Sequence, residues 1–231
     1  NMKKLLLFAS MMALPLTANA QMLLNENFQS GSIPATWTVA QTNTVQTWSV
    51  SDLGASDFRE TVDYDPLPGA QNEMLITPSM DFTTATSFTL KANIGLSYYW
   101  SVDPENNYDA FIKISTDNGA TWTQLWTEND LGVFTNWTMN PVVINLDSYV
   151  GNPNVKIAFQ YVGLDGAALY VDNVVVAAPP TIAPNCATPT SPANGATGIV
   201  YNSVNLTWTA PTTGSEVASY DVYLDKNANP T

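Results

Sequence analysis

The chain has 231 residues, 45% hydrophobic and 11% aromatic, with only 12% charged, which is enough apolar content for one good core plus part of a second domain and too much for a disordered chain. Twenty acidic residues stand against seven Lys plus Arg; that balance argues against a nucleic-acid partner, because neutralising phosphates takes basic residues, and it suits a soluble surface and hard cations such as calcium. The absence of His removes the usual general base and the commonest zinc ligand.

Residues 2–20 read MKKLLLFASMMALPLTANA. Lys3 and Lys4 form a basic start, residues 5–16 an apolar run, and Ala18-Asn19-Ala20 a small-residue cleavage site, the pattern of a secretory signal peptide over 1–20. The apolar run is too short to span a bilayer easily, so the expectation is export with no membrane span after cleavage. Removal takes Lys3 and Lys4 and leaves a net charge of −15, since the segment holds no acid.

Residues 21–178 carry repeated short strand signals and no convincing helix. The candidates are 23–28, 47–50, 74–77, 87–94, 108–116, 122–126, 142–146, 155–162 and 169–177. Strands at this spacing, broken by Gly, Asn, Asp and Pro, predict an all-β domain, an antiparallel sandwich. In 155–161, Val155, Ile157, Phe159 and Tyr161 alternate with Lys156, Ala158 and Gln160. In 108–114, Tyr108, Ala110, Ile112 and Ile114 form the expected core face, and Asp109 and Lys113 point the other way.

Two acids break this alternation. Tyr170, Asp172, Val174 and Val176 share a parity in 169–177, so Asp172 is expected on a buried face. Leu24, Glu26 and Phe28 pose the same problem at the start of the domain. If the first and last strands pair, two carboxylates meet where water is scarce. Like charges there either raise one pKa or recruit a cation; the alternative is two ordinary exposed or hydrogen-bonded acids.

Three loops also stand out. In DPENNYD, Asp103, Glu105, Asn107 and Asp109 fall at positions one, three, five and seven of a calcium-loop spacing, but Tyr108 stands where that loop needs Gly and Ile114 where it needs Glu. A solvated hairpin loop is the reading, with Asp103 and Asp109 able to lend oxygens to a calcium. In STDNGATW, Ser115, Asp117, Gly119, Thr121 and Trp122 match an Asp-box turn in which Asp117 bonds its own backbone. A sialidase needs an arginine cluster as well, and Arg59 is the sole arginine, so the box is read as structural. The run Tyr98, Tyr99, Trp100 is either core packing or a platform on which a sugar ring stacks.

Residues 179–195, PPTIAPNCATPTSPANG, read as a Pro-rich linker that holds the single cysteine, Cys186. One cysteine excludes a disulfide within the chain. From 196 a new alternation begins with Val204, Leu206 and Trp208, followed by SYDVYL.

Five stretches then recur in a known order: 25–38 (NENFQSGSIPATWT), 73–82 (EMLITPSMDF), an aromatic strand near 96–100, 115–126 (STDNGATWTQLW) and 155–176 (VKIAFQYVGLDGAALYVDNVVV). Together they resemble the cleaved-adhesin domain of bacterial surface proteins, a group with the gingipain haemagglutinin-adhesin repeats, the choice-of-anchor modules and, more distantly, MAM domains. The resemblance implies a jelly-roll β-sandwich, often with structural calcium, and so favours calcium at Glu26 and Asp172. The tail 193–224 is similar to the first half of a fibronectin type III repeat, implying a partial Ig-like sandwich over 196–231. No catalytic set is legible. The expected function is therefore a non-catalytic adhesion or binding module of an exported multidomain protein, its partner an extracellular protein or glycan, with Tyr98, Tyr99 and Trp100 as the candidate platform. The alternative is an accessory domain of a secreted peptidase or glycoside hydrolase.

Overall fold

The computed structural model describes residues 21–55, 57–67, 69–179, 185–193, 196 and 205–212. The signal-peptide reading, Val204 and the SYDVYL stretch lie outside the described residues. Contacts divide the chain into two units, one spanning Gln21–Pro179 and one holding the remainder.

The first unit is a sandwich of two antiparallel sheets. One sheet runs in the order β3 (Ser49–Asp52), β4 (Phe58–Val62), β11 (Leu169–Ala177), β6 (Thr89–Gly95) and β9 (Met139–Asn145), with β1 (Met22–Glu26) also paired to β11. The other runs β2 (Thr38–Ala40), β5 (Gln71–Ile76), β10 (Lys156–Gly163), β7 (Tyr108–Ser115) and β8 (Thr123–Thr127). The inner faces meet in a core that includes Phe28, Phe82, Phe88, Leu75, Ile94, Ile112, Phe159 and Tyr161. Burying each such side chain contributes about 1.5–3 kcal/mol, which holds the layers together.

The alternation expected for β7 holds: Tyr108, Ala110, Ile112 and Ile114 are buried. β10 departs from it, because Ala158 and Gln160 are buried as well as Ile157, Phe159 and Tyr161. β10 lies between β5 and β7, in the middle of its sheet, and Gln160 Nε2 there donates to Asn72 Oδ1.

The nine ranges first read as strands each overlap a strand, and the described residues of this unit hold two more, β2 and β4. The aromatic strand expected near 96–100 is instead a helical turn, α1 (Tyr98–Ser101), after Gly95 ends β6. Ser97 starts the turn by accepting the Trp100 amide on its hydroxyl, the usual way an orphan donor is satisfied there.

The face expected for β11 also needs correction. Asn173 has φ 51°, and the pairing with β6 slips between Asp172 and Val175. This bulge inserts one residue and switches the parity. Leu169 and Val171 face the core before it, and Val174 and Val176 after it; Tyr170 stays half-exposed on the outer face.

The strand ends set the architecture of the site. β4, β6 and β10 finish at the same end at which β5, β7, β9 and β11 begin, as Leu169↔Val62, Gly95↔Met139, Gly163↔Gln71 and Gly163↔Tyr108 pair there. Loops 41–48, 63–70, 96–107, 128–138 and 164–168 therefore cluster at one end of the sandwich. Glu73 pins the first of them: its buried carboxylate accepts from the Thr42 and Asn43 amides and the Thr42 and Thr47 hydroxyls at 2.7–2.9 Å.

In the second unit, β12 (Thr188–Ser191) pairs antiparallel with β13 (Thr207–Thr209). β13 falls in the expected VNLTWT alternation. β12 lies inside the 179–195 stretch read as a linker: the alternating Thr188 and Thr190 suit a strand, and the Thr190 and Thr207 hydroxyls sit 2.8 Å apart across the pair.

Candidate functional site

The first candidate is the seam where the domain begins and ends. β1 and β4 lie end to end along the same edge of β11: β4 pairs with Leu169–Val171, and β1 with Val174–Ala177. Asp172 and Asn173, the bulge, pair with neither and face the gap between the two strands. The expected meeting of first and last strands is therefore present, with Glu26 opposite Val174.

Sequence reasoning missed the acid that matters most here. Glu60, on β4, stands opposite Val171 of β11 and opposite Val50 of β3, so its side chain shares their inward face. It is 0% exposed, and neither carboxylate oxygen has a hydrogen-bond partner. Burial, and after it the charge of Glu26, push its pKa from 4.5 up to about 7. The other buried glutamates are satisfied. Glu73 accepts four bonds, which outweigh its burial and hold its carboxyl below the usual range. Glu128 accepts from the Ala110 amide, the Thr127 hydroxyl and the Asn129 side chain, though burial still raises it. An orphaned buried carboxylate costs several kcal/mol unless it holds a proton or meets a cation.

The other two acids of the seam are Glu26 and Asp172. Glu26 is half-buried and accepts the Phe28 amide on Oε1 at 2.7 Å. Asp172 accepts the Asn173 amide at 2.7 Å and the Asn173 side chain at 3.0 Å. Burial raises its carboxyl; the Asn173 bond and Arg59 oppose this, and Asp57 and Glu26 add to it. Arg59 is engaged by Asp57. Carboxylate oxygens suit calcium and offer nothing to a soft metal. Among the described residues, no three His, Cys, Asp or Glu side chains converge as a ready-made ion cage. A cation here would draw on backbone carbonyls of the unpaired bulge as well.

Asp103 and Asp109 are placed elsewhere. Asp109 lies on β7 opposite Val162, in the other sheet, and Asp103 follows α1. Their loop is tied locally: Glu105 accepts the Tyr99 hydroxyl, and Asn107 donates to the Asp165 carbonyl. In the 115–122 turn, Asp117 accepts the Ser115 and Thr121 hydroxyls at 2.6 Å and the Thr121 amide at 2.9 Å. Those hydroxyl bonds hold its carboxyl far below the ordinary carboxylate range, which is a turn-building role.

The second candidate is the loop end. Of the aromatic run, Tyr98 is half-buried with its ring edge-on to Phe134, Trp100 packs on the core, and Tyr99 is 42% exposed. The helical turn, not strand alternation, is what turns Tyr99 outward. Val45, Tyr64, Leu67, Val133, Trp137 and Leu164 are also exposed on these loops. Among the described residues of the domain, only Met22, Leu53 and Val143 are exposed large apolar residues elsewhere. No helix among the described residues is long and apolar enough to cross a membrane.

Strand order and pairing together define an antiparallel jelly-roll β-sandwich domain. The structure is similar to the K3 cleaved adhesin domain of Lys-gingipain from Porphyromonas gingivalis W83, at 17% identity and a TM-score of 0.54, covering 69% of this chain and 99% of that one. The K1 cleaved adhesin domain of the same protein is similar at 16% identity and 0.49, covering 67% and 97%. TmCBM61, solved with β-1,4-galactotriose, is similar at 15% identity and 0.47, covering 68% and 97%. No family model matches the sequence, and no curated protein does.

Proposed function

We propose that residues 21–179 form a non-catalytic binding module of an exported surface protein, directed at an extracellular glycan or protein. The observation that carries this reading is the loop end, where most of the domain's exposed large apolar side chains gather on loops held by a rigid sandwich. Exposed apolar groups gathered in one place mark an interaction surface, whereas scattered ones need no explanation. Tyr99 of the 98–100 run is available there for contact.

Calcium is proposed as the structural cofactor of the seam. Glu26 and Asp172 would hold it together with backbone carbonyls of the bulge, and its charge would offset the nearby carboxylates and tie β1 to β11. The ion would supply cohesion and no chemistry.

A catalytic role finds no support in the seam, because Glu60 is sealed from solvent and no substrate reaches it. The test is a glycan and extracellular-protein array run beside glycosidase and peptidase substrate panels. The expected result is retention of an array ligand and no turnover. Turnover abolished by changing one carboxylate, with fold and metal content intact, would overturn the reading.

A further inference from the structure

Resting on the binding-module reading, we propose that Trp137, beside Tyr99 and Tyr170, is the stacking platform for a neutral glycan. Trp137 is 46% exposed and sits at φ 66°. A bulky residue in the left-handed region costs roughly 1–2 kcal/mol, and with half its surface in water it recovers little of that by burial. The surrounding structure imposes the conformation. The Trp137 amide donates to the Leu96 carbonyl at 2.9 Å, and the Asn136 side chain accepts the Tyr99 amide at 3.3 Å. Loop 132–138 is thereby fastened to the connection that carries Tyr99.

The Trp137 ring stands edge-on to Tyr170, centroids 6.2 Å apart. Tyr170 and Met139 close over Gly95, where an added Cβ would meet Met139 Sδ at 2.5 Å and Tyr170 Cβ at 3.3 Å. The indole is thus braced from one side by packed strand residues, and rigid aromatic surface at low entropy cost is what ring stacking needs.

Charge selects the ligand. Tyr99 donates to Glu105, and the charge of Asp63 reaches Tyr170. Arg59 is held by Asp57, and the other described cations of the domain, Lys91, Lys113 and Lys156, stand four or more residues along their strands from the loop end, more than about 13 Å away. An acidic sugar or phosphate would meet carboxylates and no free cation. A neutral hexopyranose offers apolar C–H faces to the indole and hydroxyls to the carboxylate and amide groups around it.

The experiment titrates the full chain with neutral gluco-, galacto- and manno-oligosaccharides and with an acidic polyuronide, using wild type, Trp137→Gly, Trp137→Leu and a Val143→Ala control. Glycine relieves the positive φ, so Trp137→Gly is expected to keep or raise the melting temperature and to lose at least tenfold in affinity for a neutral glycan. Trp137→Leu keeps apolar bulk without the ring and is expected to lose affinity too; Val143→Ala is expected to bind like wild type. Neutral binding unchanged in both Trp137 variants, a melting temperature that falls in step with affinity, or binding of the polyuronide alone would each overturn the assignment and leave the module reading standing. Capture of proteins with no glycan bound would also overturn it. If no ligand of any class binds, the module reading fails with it.

Discussion

Glu60 shows how one side chain can set the conditions under which a domain is stable. Its carboxyl is raised to about 7 in the folded state against 4.5 as a free group. The native state therefore holds this proton more tightly than the unfolded chain does. The associated stability is fully present below about pH 4.5 and is lost as pH rises through about 7. At 1.36 kcal/mol per unit the loss is roughly 3 kcal/mol, or about 5–10 °C of melting temperature for a domain this size. In chelator, the protein is expected to melt lower at pH 8 than at pH 5, and Glu60→Gln is expected to flatten that profile. Calcium at pH 8 is expected to recover the loss in wild type, by about 2.7 kcal/mol at a hundredfold excess over Kd, and not in Glu60→Gln. The test is a set of thermal melts from pH 4.5 to 8 with and without calcium. The bonds that lower Glu73 and Asp147 act in a separate window, their stability being lost only as pH falls through the low carboxylate range. An equal slope in Glu60→Gln would refute the role given to this carboxyl.

At the scale of the element, the β11 bulge reconciles a sequence anomaly with a buried core. Asn173 takes φ 51° and donates both its amide and its side chain to Asp172. Asn173→Gly is expected to stay within about 0.5 kcal/mol of wild type, since glycine adopts this conformation freely. Asn173→Val is expected to cost about 1–2 kcal/mol, because a β-branched residue resists it. Deleting Asn173 would turn Val174 and Val176 outward, as a one-residue slip always does, and is expected to abolish cooperative unfolding by urea. If the deletion unfolds with wild-type cooperativity, the bulge is dispensable. The same element shows what was legible in the sequence. Strict alternation revealed β7 and most of β10, and the two misplaced acids pointed at the first and last strands, whose pairing was only a condition of their meeting. The parity of β11 was misread because a bulge leaves no mark on composition. β4, FRETV, went unseen because Glu60 occupies an inward position, so the residue central to the seam also erased the pattern that would have exposed its strand. Trp137 lay in a loop without periodicity; only its backbone angle and its neighbours single it out.

At the scale of the molecule, residues 21–179 are one unit by their contacts, with the rest of the chain outside it. Both sheets bury their inner faces against each other, and the core draws on strands from β1 through β11 as well as on Phe28, Trp37, Phe82 and Phe88 between them. β1 and β11 are its first and last strands, so the ends of the unit are joined by pairing, and Ala178 still donates to the Gln21 carbonyl at 2.8 Å. A unit closed in this way has few free ends from which to fray. The excised 21–179 fragment is therefore expected to unfold in one cooperative transition, within about 3 °C of the same transition in the whole chain. A fragment starting at residue 28 lacks β1 and Glu26, and is expected to lose cooperativity or melt far lower, because the lower half of β11 then presents an unpaired edge. Calorimetry on the three proteins distinguishes the cases. Equal melting of the shortened fragment would show that the seam is ornamental, and loss of folding in 21–179 itself would show that the second unit is needed to hold the sandwich together.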